Sequence, residues 1–368
     1  MRTSKEEELS KRFFWLNTCV TIVLFVAIVV SVVQFGAEAW KGQRHVGLVL
    51  SGEKFENGWN REQYKGLQAA CNTLGYELLV QEHAGEGEAD CRMAVQALSE
   101  KQARVIFVAN MTSLNGMKRV AEDYPNIRFF GTEMEPSDFA FNRYGVRYIE
   151  PCYLAGILAG LRTKTGRVGY VAPRSGPGFN QAVNAFAMGV HHVNPQAEIF
   201  LAWTGSWENR EMEEQVVRDF KAVSVDAMSY FQDGDTLPAA AEQAGIYFIS
   251  LYEKHPEYSH EMGTIRVDWK KMYLDMLRQH LREFDRAVYW ATSLNHSVDI
   301  EARIGALSAR ERAVYETEYW EVQQGKIVFS GEIYDGNGVQ RCGPGESISN
   351  QSLAQMNWII KGVKVIGN

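Results

Sequence analysis

Two tryptophans stand where recognition of a flat ligand would need them. Trp59 and Asn60 end the loop Glu56-Asn57-Gly58-Trp59-Asn60, which follows the apolar run Val46 to Leu50 and enters a helical pattern. Trp207 ends a second such loop, Trp203-Thr204-Gly205-Ser206-Trp207-Glu208-Asn209. Loops leaving the carboxyl ends of strands in α/β sheets lie over the edge where those folds bind ligands. An indole there offers a stacking face, worth about 1–3 kcal/mol per base where measured in nucleic-acid complexes. Asn60 adds a donor and an acceptor for a ring edge. The competing reading is local: Trp59 and Trp207 pack on their own helix starts and Asn60 serves as a cap. Glu133, after the strand-like run Ile127 to Gly131, and Tyr252-Glu253, after Tyr247 to Ser250, also fall at carboxyl strand ends. Their oxygens would accept hydrogen bonds from amines or hydroxyls.

Other chemistries lack their residues. Gly85-Glu86-Gly87-Glu88 puts acids where a phosphate would sit, and Gly176-Pro177-Gly178-Phe179-Asn180 lacks the Lys-Ser/Thr of a P-loop. No G-x-S-x-G supplies a hydrolytic nucleophile. His191-His192 point to different helix faces, and His255, His260 and His296 have no metal-ligand spacing. The five cysteines (Cys19, Cys71, Cys91, Cys152, Cys342) form no C-x-x-C pair, and buried free thiols are expected. A non-enzymatic binding protein with no cofactor and no metal is the expectation. With 38 basic against 45 acidic residues and no basic cluster, a nucleic-acid partner is disfavoured.

The elements positioning these residues alternate between strand-length and helix-length patterns, which implies parallel sheets flanked by helices. A first series has strands at Val46 to Leu50, Glu77 to Val80, Val105 to Val108, Ile127 to Gly131 and Gly145 to Tyr148, with helices at about Trp59 to Leu74, Ala89 to Lys101 and Leu114 to Asp123. Pro151 to Leu161, rich in Gly and Ala, reads as a buried helix joining two lobes. A second series follows: strands Arg167 to Val171, Ile199 to Trp203, Ala227 to Phe231 and Tyr247 to Ser250, with helices Asn180 to His191, Glu208 to Ala222 and Thr236 to Ala244. Helices at Trp269 to Phe284 and Ala309 to Gln324 and a Gly-rich β-like tail complete the chain. At 368 residues it exceeds one comfortable core, so two lobes with a ligand cleft between them are expected.

Leu16 to Phe35 is a 20-residue stretch without a charged side chain, long enough to cross a bilayer. Arg2, Lys5, Lys11 and Arg12 precede it, which places residues 1–15 in the cytoplasm, 16–36 in the membrane as an uncleaved anchor, and the large domain outside. The alternative is a signal peptide cleaved at Ala37-Glu38-Ala39.

On these motifs the chain resembles the basic membrane protein family, the purine-nucleoside receptors of bacterial ABC importers. Gly58-Trp59-Asn60 through Gly66 is similar to the family's S-F-N-x-x-x-x-x-G, Tyr153-Leu154-Ala155-Gly156 to Y-L-A-G, and Gly166 to Val171 to G-x-V-G-F-V. Gly205-Ser206-Trp207 resembles G-S-F/W-x-D, and Phe329 to Ile333 with Met356-Asn357-Trp358 and Lys361-Gly362-Val363 resembles its ending, from which Glu332 and Asn357 depart. The resemblance implies a type I periplasmic-binding-protein fold over 44–365: lobe 1 at about 44–155 plus 266–295, lobe 2 at about 160–262 plus 298–345. It implies that Trp59 stacks on the base, Asn60 binds its edge, Trp207 closes the sandwich, and Glu133 takes the place of a base-binding Asp. Ser250-Leu251-Tyr252 replaces the family's ribose-binding G-V-D, and Arg266 is the nearest candidate for its partnering Lys. Either Tyr252 or Glu253 takes over the sugar end, or the ligand is a free base or another flat heterocycle. The implied partners are an ABC permease and the membrane; a sensor module in a signalling complex and a nucleoside-processing enzyme are the alternative roles.

Overall fold

The computed structural model describes residues 15, 18, 20–31, 45–56, 58–110, 113–132, 142–280 and 288–367. Its core is two α/β lobes, each built on one mainly parallel sheet. The first lobe contains β1 (His45–Val49), α1 (Trp59–Leu74), β2 (Glu77–Gln81), α2 (Glu88–Glu100), β3 (Val105–Val108), α3 (Leu114–Glu122), β4 (Arg128–Thr132) and β5 (Asn142–Val146). The second contains α4 (Ile149–Arg162), β6 (Arg167–Ala172), α5 (Pro177–Val193), β7 (Glu198–Trp203), α6 (Arg210–Ala222), β8 (Ala227–Tyr230), α7 (Thr236–Ala244), β9 (Tyr247–Leu251) and β10 (Glu261–Val267). The chain then returns to the first lobe through α8 (Trp269–His280) and β11 (Val288–Ala291), and crosses again into β12 (Val298–Ala302) and α9 (Ala309–Gln323). Beyond these, β13 (Ile333–Tyr334) and β14 (Gln340–Cys342) form a small hairpin, α10 (Asn350–Ala354) follows, and β15 (Val363–Ile366) pairs with β7.

Sheet order is β11-β5-β4-β3-β1-β2 in the first lobe and β12-β10-β9-β8-β6-β7-β15 in the second. In each, the strand order reverses around the lobe's first strand: between β1 and β3, and between β6 and β8. Crevices at such reversals are where doubly wound sheets bind ligands. The inner strands are apolar on both faces, as burial under helices on each side requires; Val105 to Val108 is buried throughout.

The Gly- and Ala-rich helix α4 is buried along nearly its whole length and lies against α5. Two glycines set that approach. A Cβ on Gly156 would lie 2.0 Å from the Phe186 carbonyl oxygen, and one on Gly189 would lie 2.0 Å from that of Tyr153. The helix that reads as a connector between lobes is therefore part of the second lobe's core, and the crossing is made by the short Arg147-Tyr148 link before it. For the same reason β5 ends at Val146, two residues before the expected strand end.

Cys71, Cys91, Cys152 and Cys342 are buried free thiols. Of the span expected to cross the membrane, residues 20–31 are helical with exposed apolar side chains, and the remainder lies largely outside the described residues. Among the described residues no helix is long and apolar enough to cross a membrane.

Candidate functional site

The two strand-order reversals face each other across the cleft, and Trp59 stands at the first. Helix α1 begins there after Gly58, which has φ 80° and offers no side-chain cap. The Trp59 indole Nε1–H donates to the carbonyl of Ala109, just past β3, at 2.7 Å. This bond pins the ring between the ends of β1 and β3. The ring meets Trp269 edge-on at 5.3 Å between centroids and lies tilted to Tyr252 at 6.5 Å.

Asp233, in the loop after β8, occupies the facing reversal. Its Oδ1 accepts the backbone N–H of Trp59 at 3.1 Å, and its own N–H donates to the Trp207 carbonyl at 3.0 Å. One residue, through its carboxylate and its backbone N–H, thus joins the two tryptophan loops. The indole of Trp207 packs on Phe179 at 5.3 Å and Phe231 at 6.5 Å, and the two indoles make no ring contact with each other among the described residues. Tyr148, in the first crossover, meets Phe231 edge-on at 4.8 Å and shares a hydrogen bond with the Tyr252 hydroxyl at 3.2 Å. Tyr252 holds a left-handed backbone, φ 68°, which a bulky residue adopts only where its surroundings enforce it. The result is an aromatic floor, Tyr148, Phe231 and Tyr252, between Trp59 and Trp207.

Burial pushes the Asp233 carboxyl up to about 7, with the charges of Glu208, Glu56 and Glu213 adding to the rise and the Trp59 N–H opposing it. Glu213 is raised as well, again chiefly by burial. Burial raises the hydroxyl pKa values of Tyr148 and Tyr252, so both are neutral hydrogen-bonding groups.

The remaining expected residues separate. Asn60 is buried and engaged by its own loop: Nδ2 donates to Glu56 Oε2 at 3.0 Å, and Oδ1 accepts from Ser51 Oγ at 3.4 Å. Glu253 reaches across the cleft to Arg61 and, at 3.4 Å, to Lys65. Arg266 is more than half exposed and faces Glu301 at 3.5 Å. Tyr252, Glu253 and Arg266 line a flank groove of about 1110 Å3 with Glu62 and Trp269. Glu133 lies outside the described residues. Sequence reasoning passed over Asp233, Phe231 and Tyr148; the rule that singled out Trp59 and Trp207, position at a carboxyl strand end, applies equally to Phe231-Gln232-Asp233.

The family model described as "ABC transporter substrate-binding protein PnrA-like" matches residues 43–296. A purine-binding protein of Brucella abortus is 22% identical over 348 residues, covering 92% of this chain and 98% of that protein. An ABC transporter solute-binding protein from Conexibacter woesei superposes with a TM-score of 0.61 at 15% identity, covering 76% of this chain and 96% of that one. A transcriptional activator of the comK gene from Bacillus halodurans gives a TM-score of 0.66 at 17% identity, over 76% and 98%. These likenesses to solved structures establish a shared two-lobed fold.

Proposed function

This chain belongs to the PnrA-like family of ABC transporter substrate-binding proteins, and from that premise we propose that it captures a purine or a related flat heterocycle between its lobes for import. The observation that carries the reading is Trp59 at one strand-order reversal, its indole pinned to Ala109 and its backbone N–H bonded to Asp233 from the other. A flat ring entering there stacks on the Trp59 indole. The purine-binding relative from Brucella abortus supports the same ligand class. Tyr252 is committed to Tyr148 and Glu253 to Arg61 and Lys65, which disfavours the pair as ribose ligands and favours a free base over a nucleoside.

The protein acts without catalysis and hands its ligand to an ABC permease. Residues 16–36 hold it to the membrane as an uncleaved anchor, with the lobes outside the cytoplasm; the length of the uncharged run and the four basic residues before it support this arrangement. Isothermal titration with adenine, guanine, hypoxanthine, adenosine, guanosine and inosine tests the reading. Heat from at least one purine is expected, and silence from all six rejects it.

A further inference from the structure

We infer that Asp233 is a positioning residue: donated by the second lobe, it caps helix α1 of the first lobe and so ties the placement of Trp59 to closure of the cleft. The first N–H groups of a helix have no partner within it and are normally satisfied by a local side chain. The residue at the N-cap of α1, Gly58, has no side chain to supply one. The acceptor arrives instead from 174 residues away, Asp233 Oδ1 on the Trp59 N–H at 3.1 Å. Gly58 makes room for it: a Cβ there would lie 2.5 Å from Asp233 Oδ1. A carboxylate at a helix N-terminus also gains from the helix dipole. When the lobes part, α1 loses its cap and Trp59 loses one of its two backbone-directed anchors. Capture and the seating of the stacking ring are then one event.

A proton follows the same movement. Around the carboxyl stand Glu56 from the loop before α1, Glu208 from the loop before α6 and Glu213 on α6, while Tyr148 and Tyr252 on the aromatic floor also feel its charge. Exposed in an open cleft, the carboxyl returns toward the ordinary value of 3.8; enclosed, it stands at about 7. A group whose pKa rises on closure takes up a proton as the lobes close. Closure is therefore favoured as pH falls through about 7, with the gain complete below about 4 and absent well above 7. The protonated carboxyl still accepts the Trp59 N–H through its carbonyl oxygen.

The inference rests on the cleft being the capture site, yet its test needs no ligand. Small-angle scattering of the ligand-free full chain follows closure between about pH 8.5 and about pH 5.5, either side of the Asp233 transition. The radius of gyration of the wild type is expected to be smaller at about pH 5.5 than at about pH 8.5. Asp233→Asn keeps the acceptor without the charge and is expected to stay compact at both ends. Asp233→Ala removes the acceptor and is expected to stay open, with affinity for any purine that binds lowered roughly 2- to 30-fold. A wild-type radius independent of pH, or an Asp233→Asn profile that titrates like the wild type, overturns the inference. Should a variant fail to fold, the wild-type profile alone decides. Silence toward purines alongside a pH-dependent radius rejects the purine reading and leaves the interlobe cap standing.

Discussion

Truncation of Trp59 separates a ligand-stacking ring from a packing one. In Trp59→Ala the backbone N–H still reaches Asp233, because that bond does not involve the side chain. The variant loses the indole face and the 2.7 Å bond to Ala109. A stacking face is worth about 1–3 kcal/mol per base, so the dissociation constant for a bound purine should rise about 5- to 150-fold. Stability falls too, since the ring packs edge-on against Trp269 and the Ala109 carbonyl loses its donor. Trp59 is only partly buried, so that loss belongs at or below the low end of the roughly 3–5 kcal/mol seen for buried aromatics. Trp59→Phe keeps a stacking face and removes only the donor; about 1 kcal/mol of stability should go while affinity changes only a few-fold. Titration calorimetry gives the affinities and urea unfolding the stabilities. If Trp59→Ala loses stability but binds its purine within about twofold of the wild type, a difference below the weakest stacking expected, the ring is packing and the stacking assignment is refuted.

Three further substitutions probe the lobes and their contact. Gly58→Ala puts a methyl 2.5 Å from Asp233 Oδ1 at a residue with φ 80° and ψ −135°, so weaker purine binding and a larger radius in scattering are expected, with a direct backbone cost of about 1–3 kcal/mol. Gly156→Leu drives a side chain into the Phe186 carbonyl and should cost about 3 kcal/mol, the upper end of overpacking, by urea unfolding, without reaching the cleft. Glu253→Gln removes the interlobe pairs with Arg61 and Lys65; because Glu253 is about a third exposed, closure should weaken by only about 0.2–1 kcal/mol, and the salt dependence of binding should diminish.

Much of the fold is legible because parallel sheets repeat a local pattern. Strands buried on both faces read as short apolar runs, and Val105 to Val108 and Ala227 to Tyr230 stand where those runs are. What escapes is structure whose local pattern is weak. Strand β10, Glu261 to Val267, mixes a buried glutamate, a glycine and an arginine; Glu261 is tolerated inside because Ser250 Oγ, the His255 N–H and Arg303 all meet it. Strand β15 is half exposed and gains its place by pairing with β7, more than 150 residues earlier in the chain, which no window along the sequence contains.

The site divides along the same line. Trp59 and Trp207 are visible from the sequence because a strand end followed by a helix start is a local signature. Their mutual relation is not visible: no direct sandwich forms, since Trp207 turns onto Phe179 and Phe231 while Trp59 bonds Ala109. The link between them is Asp233, which in its own segment, Gln232-Asp233-Gly234-Asp235, looks like any polar turn ahead of α7. Only when the second lobe is laid over the first does it meet the uncapped N-terminus of α1. Helix α1 does leave a local trace of that need, a glycine with no Ser, Thr or Asp where a cap belongs, ahead of a helix that nonetheless begins sharply at Trp59. A missing local cap at a cleft edge thus points to a partner elsewhere in the fold, and in a two-lobed binding protein that partner is placed to couple closure to ligand contact.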